Sequence, residues 1–580
     1  MDINYFSIGF LGPKTLRRLS EEDDMMDPQR LPIGQKVDVA LKACRSGWLT
    51  FRTSSLFQVR FWFIALFVGI AASFAAIGFR FGIEMFQAWL YKTDDKAYFL
   101  DWWWILLIPM IGGLAVGVIL NRFTNDGRVR SVADVIEGAA LYDGRVEVRK
   151  GLLSSLASFI TLSTGGSTGR EGPVVHLAAI LSTYVSRFIC ADGITGRDLM
   201  GCAVAAAVSA SFNAPIAGAL FALEVVLRHF AVHAFAPIVI ASVAGTVINR
   251  SVYGDVTEFL IPNQNILAFN VELPAFLILG LLCGLIAVVL MRTIFWFDTM
   301  GTALQNSWRI PRFLRPMIAG TLLGALAIYY PHIIGVGFET TSDALTGRLV
   351  MHEAIVFVFI KIVAVAITMA GRMGGGVFSP SLMVGAMSGL AFGIVATGIF
   401  PDVSGDGTLY ALAGMGAVTA AVLGAPISTT LIVFELTGDW QTGIAVMVSV
   451  SLSSALASKL VHRSFFLTQL ERRGVHLAAG PQAYLLGTFK VESVMRRAEH
   501  SKAADPEICA ALILKGTYIY QELMLDQAMP ILEATGSSFI PVVASVTDEG
   551  PPELKGALFQ VDVLRTFNSA LAATAAEGHR

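Results

Sequence analysis

The sequence predicts an all-α polytopic membrane protein, made of two related halves with broken helices, with a small α/β cytoplasmic tail. Three observations predict it. Of 580 residues, 54% are hydrophobic and only 15% charged, and mean hydropathy is +0.64. Soluble domains carry about 25% charged residues, so this chain has too little polar surface to cover itself in water. Charge-free runs near the ~20 residues that cross a hydrocarbon core recur between residues 61 and 458. The two halves of that stretch also align with each other.

Residues 1–55 form a mixed, polar arm with an acidic knot at 21–24, too long and too charged for a secretory signal. Phe61–Phe79 and Trp102–Leu120 are the first charge-free runs. Later ones are Gly151–Gly169, Leu199–Leu223, Phe230–Asn249, Leu273–Met291, Pro316–Phe338, Met373–Pro401, Gly407–Phe434 and Trp440–Ser458. Several exceed one span and hold Gly or Pro in the middle, so they read as broken or re-entrant helices. Basic residues crowd the arm before the first span, and Lys459, Arg463, Arg472 and Arg473 follow the last. Both ends are therefore expected in the cytoplasm of a cell whose inner membrane holds the protein. From about 474 the pattern turns soluble-like: helix 523–534, strand 538–543, strand 554–560, helix 561–570.

Net charge is −2, which argues against nucleic acid as a partner. Five scattered cysteines with no C-x-x-C argue against a disulfide framework and a zinc site; no metal is expected. Paired histidines, a carboxylate pair or a Gly-rich nucleotide loop would be needed for a membrane-embedded enzyme or sensor. That class stands as the remote alternative, and no catalytic residue is assigned.

The internal repeat is the most informative feature. Ala203–Glu224 aligns without gaps on Gly414–Glu435, with seven of 22 positions identical, including Pro215/Pro426 and Glu224/Glu435. Ahead of each block lies a Gly-rich break ending in proline, GREGP at Gly169–Pro173 and GVFSP at Gly376–Pro380. Such repeats place substrate at their interface on the ends of discontinuous helices.

A proline just inside a helix start is favourable because its missing N–H had no partner anyway. Pro173 and Pro380 fit that position, with Ser379 as a cap before the second. Each start leaves free N–H groups and the positive end of a dipole. Two such ends facing one point make an anion site without a full charge, as conduction requires. Glu171, at one start, is a tethered anion that can occupy that site, and protonation would remove its competition. An intramembrane ionisable residue defaults to function. Arg170 reads as structural or electrostatic, His176 as a hydrogen-bonded core residue, and Glu224 and Glu435 as helix-end or interface groups. Lys361 either adds positive field to the pathway or snorkels, and Arg372 marks an interfacial turn.

Together the GREGP block, the G-x-F-x-P block, Asn213–Pro215 ending in Glu224, and Gly424–Pro426 ending in Glu435 resemble the CLC family of chloride channels and chloride/proton exchangers. The likeness covers roughly residues 56–473. It implies an inverted repeat (about 56–255 and 270–473), a homodimer in the lipid bilayer and one anion pathway per subunit. By position, Glu171 matches the gating glutamate. Gly169, Arg170, Gly172, Val377 and Phe378 match the anion-binding helix starts.

Three departures stand out. The family's GSGIP motif is replaced by RSVADV at Arg130–Val135, where Ser131 matches the central serine. The pore tyrosine aligns with Phe466, which has no hydroxyl. Exchangers commonly carry an acid right after the position of Glu224, and this chain has Val225. The tail, 474–580, resembles a CBS module, with Asp562 at the position of a nucleotide-binding acid and Phe559 in place of its hydroxyl. Packing is the expected role of this tail, with adenine nucleotide the lesser option. No other cofactor is expected beyond chloride as the transported ligand. The resulting expectation is passive chloride conduction gated by protonation and swing of Glu171. Chloride/proton antiport is the alternative, and selectivity for fluoride or another anion a second.

Overall fold

A computed structural model describes residues 57–91, 101–124, 126–191, 193–230, 232–254, 269–401, 407–475, 477, 489–497, 499–500, 502–544 and 553–577. The N-terminal arm and its acidic knot lie outside the described residues.

The first half contains α1 (Phe57–Tyr91), α2 (Trp102–Phe123), α3 (Val132–Leu141), α4 (Val148–Ser163), α5 (Glu171–Phe188), α6 (Gly193–Phe212), α7 (Pro215–Phe221) and α8 (Val232–Tyr253). The second contains α9 (Phe269–Ser307), α10 (Leu314–Tyr329), α11 (Phe338–Leu345), α12 (Met351–Ala370), α13 (Phe378–Ile399), α14 (Gly407–Leu423), α15 (Pro426–Thr437), α16 (Trp440–Val461) and α17 (Phe465–Glu471). Seven helices among the described residues are long and apolar enough to cross a membrane. The protein is a multi-pass membrane protein. Helix α9, with 39 residues, runs about 58 Å at 1.5 Å per residue. That exceeds a hydrocarbon core of about 30 Å, so the helix crosses obliquely or projects beyond it.

Small residues let these helices close up. Lipid tails supply no hydrophobic drive between spans, so contact depends on backbones approaching closely. Helices α2 and α10 do this with two G-x-x-x-G pairs. A Cβ on Gly324 would come 2.8 Å from Leu106 Cα, and one on Gly113 3.0 Å from Met317 Cα. Helices α13 and α14 repeat the device, where a Cβ on Gly414 would meet Gly389 Cα at 2.8 Å.

The expected mid-run breaks are present and matched between halves. Helix α6 ends at Asn213, φ 56°, and α7 restarts at Pro215; α14 ends at Gly424, φ 70°, and α15 restarts at Pro426. Asn213 and Gly424 are the aligned positions of the repeat. Both turn through the left-handed region, which Gly enters freely and Asn tolerates. Helix α7 continues into a π-helical turn, Ala222–Leu227, which carries Glu224 and Val225.

Two local expectations need correction. Helices α5 and α13 begin at Glu171 and Phe378, so Pro173 and Pro380 each stand third rather than first. Proline is tolerated there because none of the first four N–H groups has an intrahelical acceptor. Ser379 is therefore not a cap. Val377 takes the cap position, and the Ser379 hydroxyl is left to bond across the repeat.

The tail forms a four-stranded sheet of order β1-β4-β3-β2. Its elements are α18 (Val491–Val494), β1 (Arg496–Arg497), α19 (Pro506–Leu514), β2 (Ile519–Tyr520), α20 (Leu525–Thr535), β3 (Phe539–Val543), β4 (Leu554–Phe559) and α21 (Gln560–Glu577). A core of Val491, Leu525, Leu532, Ile540, Val542 and Leu558 lies beneath it.

Candidate functional site

The two Gly-rich breaks are zipped together. Gly169 N–H donates to Gly376 O at 2.7 Å, and Gly376 N–H returns the bond to Gly169 O at 2.8 Å. The Thr168 hydroxyl adds a bond to Gly376 O at 2.8 Å. Side chains would crowd this approach. A Cβ on Gly172 would lie 3.1 Å from Gly376 Cα, and Gly374 and Gly375 take φ of 103° and 114°, open in practice to glycine. The zip makes α5 and α13 begin side by side.

Glu171 joins those two starts. It is the first residue of α5, 3% exposed, and its Oε1 accepts from Ser379 Oγ at 2.5 Å. Its Oε2 has no side-chain hydrogen-bond partner among the described residues, and the backbone N–H groups of Glu171 and Ser379 face the carboxylate. The carboxylate thus sits where free N–H groups and two positive dipole ends gather. The Arg170 guanidinium stacks 4.7 Å above the Phe338 ring and lies 3.5 Å from Glu84. Phe378 is fixed by stacking on Phe212 at 4.8 Å and by Phe221 at 5.8 Å.

Lys361 does not snorkel. It is fully buried, and its Nζ donates to Gly335 O at 3.2 Å and Ile333 O at 3.4 Å. A Cβ on Gly337, next to Phe338, would sit 3.2 Å from that Nζ. Lys361 and Arg170 therefore both flank the start of α11. His176 is buried as expected, with the Ser131 backbone beside its ring.

Ser131 caps α3 and lines a cavity of about 300 Å3 with Arg128, Arg372, Gly374, Gly375 and Phe465 among its walls. The cavity therefore reaches from Ser131 to the chain immediately before the Gly376 zip. Phe465, not Phe466, lines it. Phe466 is 3% exposed and packs edge-on to Phe465 at 5.9 Å. Val225 is buried in the π-helical turn. In the tail, Arg496 holds the Asp562 carboxylate with two bonds, 2.6 and 3.1 Å, and lies 4.1 Å over the Phe559 ring.

Sequence reasoning missed Ser379 as the partner of Glu171. The signal was available: the two prolines lie 207 residues apart in matching blocks, so the segments around them were bound to meet. It also missed the arginine lining of the cavity, because Arg128, Arg372 and the pair Arg472–Arg473 come from three separate segments.

A family model described as voltage gated chloride channel matches residues 112–458. The voltage-gated ClC-type chloride channel ClcB of Escherichia coli is 30% identical over 429 residues, which is 70% of this chain and 97% of that one. Two solved structures share the fold. A slow cyanobacterial Cl−/H+ antiporter has TM-score 0.64 at 20% identity, covering 71% of this chain and 98% of its own. A eukaryotic CLC transporter has TM-score 0.63 at 17% identity, covering 88% and 99%.

Proposed function

Because this chain belongs to the voltage-gated chloride channel (CLC) family, we propose that it conducts chloride passively through the bilayer, with Glu171 as the gate. Members of the family are anion channels and transporters, and the protein is not an enzyme. The observation that carries the proposal is the Glu171–Ser379 bond, which lays one carboxylate across the starts of two helices from the two halves. A chloride ion arriving there competes with a tethered anion for the same N–H groups. Neutral donors and dipole ends bind an ion well enough to admit it and weakly enough to release it. Protonating Glu171 removes its negative charge and, with it, its claim on the site. The amides around Gly172, Val377 and Phe378 would hold the ion, with Gly169 and Arg170 shaping the approach. Ser131 and the neighbourhood of Phe466 would form the other end of the route.

Buried Val225 supports passive flow, since valine carries no proton. Chloride/proton exchange is the second reading, and His176, a buried titratable ring on the helix of Glu171, is the observation that favours it. Purified protein in vesicles separates the two. Passive conduction expects chloride efflux that drives no proton uptake, and proton movement against its gradient under a chloride gradient overturns it. Ranking chloride against fluoride in the same vesicles tests the altered serine motif.

The proposal includes an inner-membrane homodimer with one pathway per subunit and both termini cytoplasmic. Arg473 bonds Asp134 at 3.0 Å, which puts the loop after α2 and the segment after α16 on one side. Both are rich in arginine, and basic loops face the cytoplasm. Light scattering of the detergent-solubilised protein, giving two chains or one, tests the dimer.

A further inference from the structure

We infer that the arginine-lined cavity beside Ser131 is a binding site for a phosphate-bearing anion. Its volume of about 300 Å3 would hold about ten waters at ~30 Å3 each, far more than one chloride requires. Arg128, Arg372, Arg472 and Arg473 face it against a single carboxylate, Asp298.

The nearby acids are already engaged. Asp298 is taken by Arg315 at 2.9 Å, Asp126 by Arg130 at 2.9 Å and Asp134 by Arg473 at 3.0 Å. Arg472 is anchored to Phe295 O and to Thr299 Oγ1, each at 3.2 Å. The guanidinium groups of Arg128 and Arg372 have no hydrogen bond or ion pair among the described residues. Arg372 feels the like charges of Arg128 and Arg312, and the charges of Asp298 and Asp126 offset them only from within their own ion pairs with Arg315 and Arg130. Like charges left unpaired at one half-buried place repel, and an anion with several oxygens relieves that. Guanidinium forks match phosphate oxygens two at a time. A single chloride in transit needs weaker attraction than this.

Arg372 also occupies an unfavourable backbone position. It has φ 56° at the C-terminal turn of α12, where Arg372 N–H donates to Met369 O at 3.0 Å and Met373 N–H to Thr368 O at 3.3 Å. That turn favours glycine at this residue. The arginine is there at a conformational cost, and its guanidinium borders the cavity.

Binding does not depend on the transport reading, whereas obstruction of ion transit by the bound anion rests on it. The test uses the full chain in detergent, titrated calorimetrically with inorganic pyrophosphate, beside Arg372→Gly, Arg372→Lys and the double variant R128A/R372G. Arg372→Gly gives the turn its favoured residue, so the fold is kept while the charge is lost. Pyrophosphate should bind the wild type, and Arg372→Gly should weaken it roughly tenfold, about 1.4 kcal/mol, with Arg372→Lys between the two. A parallel arm compares wild type and R128A/R372G in phosphatidylcholine vesicles with and without phosphatidic acid. A response to phosphatidic acid confined to the wild type, with no pyrophosphate binding, supports the same site with a lipid headgroup as source. Binding of neither, or equal binding by wild type and double variant, overturns the inference. Lost pyrophosphate binding with intact chloride flux would leave the proposed function standing, and the reverse would leave the site standing.

Discussion

Glu224 and Glu435 each hold the start of the helical segment on which the other stands. Glu224 accepts from Ile427 N–H at 3.0 Å and Ser428 N–H at 2.7 Å, and Glu435 accepts from Ile216 N–H and Ala217 N–H, both at 2.8 Å. Each receiving helix opens with a proline, Pro215 or Pro426, which has no N–H. The second and third residues therefore present the first free donors, and one carboxylate takes both while facing the positive dipole end.

This cross-capping predicts a stability effect. Glu224→Ala or Glu435→Ala should each cost about 2 kcal/mol, the scale of hydrogen bonds to a charged acceptor. Thermal unfolding of the detergent-solubilised protein measures it. Gln, which keeps one acceptor oxygen, should cost less than Ala. An unchanged midpoint in both alanine variants would reject the clamp.

Glu171→Gln should flatten the dependence of chloride flux on pH, because the variant cannot change charge. Ser379→Ala should shift that dependence without abolishing it, since only the hydroxyl that pins Oε1 is lost. Vesicle efflux measured at several pH values reads both. Identical pH profiles for wild type and Glu171→Gln would remove Glu171 from the gate.

Lys361→Met should lower chloride flux severalfold while leaving the unfolding midpoint unchanged or higher. A buried ammonium whose partners among the described residues are two carbonyls repays little of its desolvation, and an apolar residue of similar shape fits such a place. Its positive field beside Arg170 is what the variant loses. Unchanged flux would make the lysine purely structural.

Asp439 caps α16 through Thr442 N–H at 2.8 Å and Gln441 N–H at 3.4 Å. Burial pushes its carboxyl up, but the bonds from Thr442 and the amides outweigh this and hold it below the usual carboxylate value. A depressed carboxyl contributes stability that is present above its unfolded pKa and is lost as pH falls through the folded one. Asp439→Ala should thus cost about 1 kcal/mol at neutral pH. The gap between variant and wild type should close only in acid below the usual carboxylate range. A gap that closes near neutrality would contradict the assignment.

The tail should bind adenine nucleotide poorly, because Arg496 already occupies both oxygens of Asp562 and covers Phe559. Arg496→Ala should destabilise the tail, and adding AMP or ATP to the wild type should leave its melting unchanged. A nucleotide-dependent rise in melting temperature would show that the arginine yields to the ligand.

Much of the fold was legible because its causes are local. Charge-free length marks spans, and Asn213–Pro215 and Gly424–Pro426 mark breaks that turn and restart by backbone rules alone. The four elements expected in the tail fell within two residues of their bounds, except that the last helix runs on to Glu577, while α18, β1, α19 and β2 had no counterpart among the expectations. Helix starts were less legible. Prolines Pro173 and Pro380 are compatible with the first and third positions alike, and only the Gly169–Gly376 zip selects the third. Phe465 and Phe466 are neighbours of one chemistry, so no pattern could say which faces the cavity.

By itself the sequence determined that this is a duplicated membrane domain with Glu171 at a helix start, since hydropathy, repeat spacing and proline position are properties of the chain. Tertiary structure alone decided what that carboxylate touches, which glutamate caps which helix, and which arginines share a cavity. Those pairings join residues some 200 or more positions apart, or in separate segments, and such distances close only when helices pack at small residues and backbones meet.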